Sequence, residues 1–144
     1  MVVEMTESRL GAAGEAAVIN ALTSVGIPCY LPFGEGNTAD LIAEIGGKPL
    51  KLQVKSCGNA TATVTFRLAK RRRLGWRPYT DVDYFALYAS HYKKVLLVPW
   101  QKGQTSINVR FRNTVKARKT DIAADDIDIL KVVEEIEHGV QKPH

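Results

Sequence analysis

Asp40, Gln53 and Lys55 are the residues of this 144-residue chain whose types and spacing suit chemistry. In Leu50-Lys51-Leu52-Gln53-Val54-Lys55-Ser56, strand alternation puts Leu50, Leu52 and Val54 on one face. Lys51, Gln53 and Lys55 share the other, so the Gln53 and Lys55 side chains project side by side. Asp40 opens the preceding apolar stretch, and the short connection brings it near both, depending on register. Asp40 offers an anionic oxygen, Gln53 a neutral carbonyl oxygen and Val54 its backbone carbonyl. A few oxygen ligands, with water completing the shell, suit Mg²⁺ better than Zn²⁺, with Mn²⁺ as a substitute. Lys55 beside the cation would orient a water, favour hydroxide or neutralise charge on a phosphoryl transition state. That is a site for phosphodiester hydrolysis. Taken alone, the same residues also describe a solvated polar stripe on a half-exposed hairpin.

Glu15 adds a second carboxylate. On a helix it lies about 20° around the axis from Leu22, about 40° from Ile19 and about 60° from Val18. A carboxylate in an apolar stripe is expensive unless it is paired or binds a metal. Two readings follow. Glu15 forms a structural salt bridge, for instance to Lys55, or it converges with Asp40, Gln53 and Lys55, holding a metal-bound water or a second metal.

The elements that must position these residues are legible from periodicity. Leu10, Ala13, Ala17, Val18, Ala21, Leu22 and Val25 predict a helix from residue 8 to about 25, stopped by Gly26 and Pro28. Cys29–Phe33 reads as an edge strand and Gly34-Glu35-Gly36-Asn37 as a turn. Leu41–Ile45 and Leu50–Ser56 flank Gly46-Gly47-Lys48-Pro49, a hairpin signature. Thr61–Leu68, Tyr84–Ala89, Val95–Val98 and Ile107–Phe111 read as further strands, and Ile122–Glu137 as a C-terminal helix. The order implies a mixed sheet with flanking helices. Trp100, Tyr84, Phe85 and Tyr88 read as core or interface, and His91, His138 and His144 take no role.

Charge is segregated. Residues 1–50 carry six acidic and two basic side chains, residues 51–120 two acidic and sixteen basic, and residues 121–144 seven acidic and two basic. The net charge of +5 thus hides a strongly basic middle, which a polyanion such as nucleic acid would relieve. Arg67, Lys70, Arg71, Arg72, Arg73 and Arg77, interleaved with Trp76 and Tyr79, form the densest cluster, read as an exposed basic loop. Arg110, Arg112, Lys116, Arg118 and Lys119 form a second, with Arg110 and Arg112 on one strand face. Such clusters suit phosphate contacts first and guanine contacts second.

At these residues the chain resembles the PD-(D/E)XK, or restriction-endonuclease-like, nuclease superfamily, and within it the group I intron-associated homing endonucleases. The resemblance rests on Gly14-Glu15-Ala16-Ala17, Pro32-Phe33-Gly34, Ala39-Asp40-Leu41-Ile42, Leu52-Gln53-Val54-Lys55-Ser56, Asp81-Val82-Asp83-Tyr84-Phe85-Ala86 and Leu97-Val98-Pro99. It implies an α/β fold of αβββαβ type. It also implies Asp40 as the metal-binding aspartate, Gln53 at the second acidic position, Lys55 as the catalytic lysine and Glu15 as the helix glutamate. Ala39 stands where the superfamily has proline. Gln53 stands where the superfamily usually has an acid, and the homing branch is similar in carrying glutamine there; Glu44 shares the strand parity of Asp40.

The expectation is one nuclease domain over residues 1–144, with a core from about 8 to 100 and a basic strand and C-terminal helix from about 101 to 140. Its activity would be Mg²⁺-dependent, site-specific cleavage of double-stranded DNA. The alternatives are a junction resolvase, a catalytically decayed DNA-binding module, and an interaction protein with an unrelated basic face. One site cuts one strand, so a homodimer or, from the resemblance, a tetramer is expected. No apolar run is long enough to span a membrane, no signal peptide is evident, and two cysteines make no disulfide framework. An intracellular protein, in cytoplasm or nucleoid, is expected.

Overall fold

The computed structural model describes residues 6–34, 39–113, 118 and 120–139. Most of the Gly34–Asn37 turn, Lys116, Lys119 and His144 lie outside them. The chain opens with helix α1 (Glu7–Thr23), whose N-cap Thr6 accepts the Arg9 N–H. The helix ends where Gly26, at φ 79°, lets the Ile27 N–H reach back to the Leu22 carbonyl at 3.0 Å. Strands β1 (Cys29–Tyr30), β2 (Leu41–Ile45) and β3 (Lys48–Cys57) follow. Gly46 and Gly47, both at positive φ, make the tight turn that pairs Ile45 with Lys48.

After β3 the chain builds β4 (Thr63–Arg67), β5 (Ala69–Arg72) and β6 (Gly75–Pro78) before returning as β7 (Tyr84–Ala89) and β8 (Lys94–Pro99). Then come β9 (Ser106–Arg110), β10 (Ile122–Ala123), a 3-10 turn at Ala124–Ile127 and helix α2 (Ile129–Glu137). The main sheet runs β1-β2-β3-β7-β8, with only the β3–β7 pair parallel. A smaller sheet runs β10-β9-β4, and β5 and β6 pair only with each other. This is the mixed sheet with flanking helices that the sequence implies. α1, β2, β3 and β7 follow the αβββ opening, whereas β8 joins β7 by a tight turn and the second helix comes last.

Both faces of the main sheet are covered, which is why Tyr84–Ala89 reads as an unbroken apolar run. Leu52, Val54, Tyr84 and Ala86 pack with Val18 and Leu22 of α1 and Val132 and Val133 of α2. Phe85, Leu87, Leu96 and Val98 pack against Val64, Phe66, Ile107 and Val109 of the smaller sheet. The C-terminal helix is shorter than its periodicity suggested. Ile122 and Ala123 pair in parallel with Val109 and Arg110, and the Asp128 side chain caps a helix that starts only at Ile129.

α1 meets the sheet along Gly14, Val18 and Leu22, its buried line. A Cβ at Gly14 would collide with the Ser56 Oγ and crowd Ser56 Cβ at 3.3 Å and Tyr88 Cβ at 3.4 Å. The helix therefore lies on β3 at a distance only glycine permits. Gly14→Ala gains helix propensity of about 1 kcal/mol, but overpacking of about 1–3 kcal/mol outweighs it. Urea denaturation should show Gly14→Ala less stable than wild type, and Gly14→Ala/Ser56→Ala recovering much of the loss.

Candidate active site

The β2–β3 register decides where Asp40 goes. Leu41 pairs with Leu52, so Asp40 falls opposite Gln53, one step beyond the end of β2. Leu52 turns its backbone toward β2, where its carbonyl accepts the Asp40 N–H at 2.9 Å. Val54 turns the same way but finds no strand, because β2 begins only at Leu41. The Asp40 carboxylate fills the gap: Oδ2 accepts the Val54 N–H at 3.0 Å and the Gln53 Nε2–H at 2.8 Å. By the same alternation the Val54 carbonyl faces this open edge.

Gln53 Oε1 is buried and accepts no hydrogen bond. Leaving such an acceptor unmet costs about 1–3 kcal/mol, and a cation would satisfy it. Among the described residues no cluster of three or more His, Cys, Asp or Glu side chains is placed to hold a metal. A cation here would therefore take the Asp40 carboxylate, the Gln53 amide oxygen and the Val54 carbonyl, a hard-oxygen set that fits Mg²⁺. Burial raises the Asp40 carboxyl above its ordinary value, opposed by the Val54 N–H and by Lys55.

The two strand lysines part company. Lys51 is drawn off by Asp81, Nζ to Oδ1 at 2.9 Å, while its N–H donates to Asp83 Oδ2 at 2.7 Å. Lys55 stays by Asp40. Its Nζ donates to Tyr79 Oη at 2.7 Å and lies 4.8 Å from the Tyr79 ring centroid. Burial pulls the Lys55 ammonium below its usual value, Asp40 raises it and Lys70 lowers it further.

Glu15 is exposed, which corrects its place in the apolar stripe. The stripe was centred without Gly14, which has no hydrophobic side chain to count. Once the contact line is Gly14–Val18–Leu22, Glu15 lies about 60° off Val18, at the stripe's margin. Among the described residues no ion pair joins it to Lys55. Desolvation first, and the Asp40 carboxylate second, raise its carboxyl, so it borders the Asp40 site. Glu44 lies toward the hairpin tip, where it raises the Tyr30 phenol.

The basic residues divide. Lys70–Arg73 and Arg77 lie not on a loop but on and around the β5–β6 hairpin, and Lys70 Nζ is 5.1 Å from the Tyr79 ring centroid, beside the site. Arg112 is tied to Tyr92 Oη and the Ala60 carbonyl, both at 3.2 Å. Arg110 and Arg112 line a cleft with Asp125, and neither Asp40 nor Lys55 is among the residues that line it.

A family model described as PD-(D/E)XK endonuclease matches residues 5–129, a span that contains all four residues of this cluster. The chain belongs to the PD-(D/E)XK endonuclease family. Protein 5.3 of Escherichia phage T7 is 35% identical over 115 residues, covering 76% of this chain and 96% of that protein. In fold, this PD-(D/E)XK endonuclease is similar to the bacterial homing endonuclease I-Ssp6803I. The TM-score is 0.69 at 18% identity, over 94% of each chain.

Tyr79 is the site residue that sequence reasoning missed. It reads as an aromatic among arginines, yet it is only 5% exposed. The Trp100 Nε1–H grips its carbonyl at 2.6 Å and Phe85 packs edge-on against its ring at 5.6 Å. Burial, then the Asp40 charge, push its phenol up to about 12, so at neutral pH it is an un-ionised partner for Lys55. Hydrogen bonds to charged groups contribute about 1.5–3 kcal/mol. Tyr79→Phe should therefore slow nuclease turnover by roughly tenfold or more. Single-turnover kinetics, with a thermal melt to show the fold intact, would check it.

Proposed function

We propose that this chain is a Mg²⁺-dependent endonuclease of the homing type, hydrolysing phosphodiester bonds of double-stranded DNA at a site built from Glu15, Asp40, Gln53 and Lys55. The observation that carries the reading is Asp40 bonded to Gln53 beside Lys55, with the buried Gln53 Oε1 left without a donor. Family membership supports hydrolysis of nucleic acid, and the likeness to a homing endonuclease supports the finer class. The net +14 of residues 51–120 supports a polyanionic substrate. No helix of the described residues is long and apolar enough to cross a membrane.

Asp40, the Gln53 amide oxygen and the Val54 carbonyl would hold the cation, with Glu15 at its margin. When bound, Mg²⁺ supplies Lewis-acid stabilisation of phosphoryl charge and a more acidic water. Lys55 has three N–H donors. Tyr79 takes one, leaving two for a phosphate oxygen and the attacking water. A fixed ammonium at this point stabilises charge that develops only in the transition state. A double-strand break then calls for two such sites, hence a homodimer or tetramer with two-fold symmetry.

The test is cleavage of a randomised linear duplex pool mixed with a labelled four-way junction. Mg²⁺ and Mn²⁺ should support cuts at a shared duplex motif and EDTA should abolish them. Asp40→Ala and Lys55→Ala should each lose at least a hundredfold in cleavage while still binding DNA. Normal cleavage by either variant overturns the site. Cutting confined to the junction makes the protein a resolvase. Binding without cutting, across targets long enough to hold a homing site, makes it a decayed binding module with Gln53 in place of the metal-binding acid. Gln53→Glu, which adds a charged ligand, should lower the Mg²⁺ concentration giving half-maximal cleavage.

A further inference from the structure

Resting on the DNA-cleaving reading, we infer that the β5–β6 hairpin is a two-faced ribbon whose Lys70, Arg72 and Arg77 face lies in the major groove beside the scissile phosphate, while its Arg71 and Trp76 face braces it. The register separates the faces. Lys70 pairs with Arg77, Arg71 with Trp76 and Arg72 with Gly75, and paired residues share a face. Lys70, Arg72 and Arg77 therefore stand together, and Arg71 stands with Trp76 on the reverse. Contacts agree with this division. The Lys70 ammonium sits over the Tyr79 ring, and desolvation first, then the Arg72 charge, lower its pKa. That face is continuous with Tyr79 and thus with Lys55. On the reverse, Arg67 from β4 and Arg71 lie 4.3 and 5.5 Å from the Trp76 ring centroid.

A lone two-stranded hairpin is marginal in water, and this one pairs with neither sheet. The double cation–π stack supplies stiffness that packing does not. Residues 69–78 hold five basic side chains and no acidic one, so their mutual repulsion favours a polyanion. Four residues per strand span about 13 Å, and a groove about 12 Å wide admits a two-stranded ribbon. At the tip, Leu74 is 83% exposed. In the groove it would meet base edges, where thymine methyls offer apolar contact.

The experiment measures duplex binding in EDTA, where nothing is cut, as a function of salt. Arg72→Gln/Arg77→Gln and Arg67→Gln/Arg71→Gln remove two charges each, from opposite faces. Each phosphate contact contributes about 0.9 to the slope of log K against log salt. The first pair should flatten that slope by nearly 2, and the second by less than half as much. Arg72→Lys/Arg77→Lys should retain it, and a thermal melt should show each variant folded, with any near-UV circular dichroism change, to which Trp76 and Trp100 both contribute, confined to the Arg67→Gln/Arg71→Gln protein. Methyl green, a major-groove ligand, should displace the protein, and distamycin, a minor-groove ligand, should not. Equal flattening by the two pairs, or displacement by distamycin alone, overturns the ribbon assignment and leaves the nuclease standing. Absence of salt-dependent binding by wild type overturns both.

Discussion

β3 runs five residues beyond Leu52, its last partner on β2, and that overhang must be satisfied. A backbone N–H at the rim of a sheet needs an acceptor, and at Val54 the acceptor is the Asp40 carboxylate rather than a strand. Because Asp40 sits one step before Leu41, the substitution sets the carboxylate opposite Gln53 and beside Lys55. The geometry of the Asp40, Gln53 and Lys55 cluster is thus a by-product of where one strand stops. Everything that fixes the stop fixes the site: the two-glycine turn that sets the β2–β3 register, and the Gly14 contact that holds α1 on the overhanging part of β3.

Around that overhang the molecule separates its tasks by sheet face. Leu50, Leu52 and Val54 of β3 face the core beneath α1. Odd-numbered residues face the side that the smaller sheet covers only in part. Tyr79 belongs to that second core and also borders the polar cluster. It sets packing-grade rigidity against a lysine that would otherwise be a flexible four-carbon arm. Such support for a charged side chain is what a functional site requires and a merely charged surface lacks.

The strands were legible because their alternation is local. Leu41–Ile45 and Tyr84–Ala89 stand where periodicity put them. That Asp40 lies near Gln53 and Lys55 was legible only up to register, because Gly46–Pro49 read as the connection; Lys48 and Pro49 instead pair with Ile45 and Glu44, and the two-glycine turn fixes the register. Other features depend on contacts distant in sequence. Gly14 carries no hydrophobic signal, so the face of α1 was centred wrongly and Glu15 was set too deep. Ile122 and Ala123 fit a helical pattern but are taken by Val109 and Arg110 as a strand. Tyr79 holds Lys55 across 24 positions of chain. No spacing rule links the two.

The glutamine at position 53 also has a physical logic. A carboxylate there would face Asp40 across the strand pair, and two like charges in a partly buried site repel until a cation arrives. An amide instead donates to Asp40 through Nε2 and leaves Oε1 without a donor. The Asp40–Gln53 pair is thereby held together by a hydrogen bond, and on the proposed reading it would be assembled before a cation bound, at the expense of one unit of negative charge. Glu15, whose carboxyl is raised by desolvation and then by Asp40, would supply part of that charge. Preorganisation through an N–H bond and charge supplied from the helix would be two halves of one arrangement. The overhang of β3 underlies the first, because beyond Leu52 it is the Asp40 carboxylate and not a strand that meets the edge of β3.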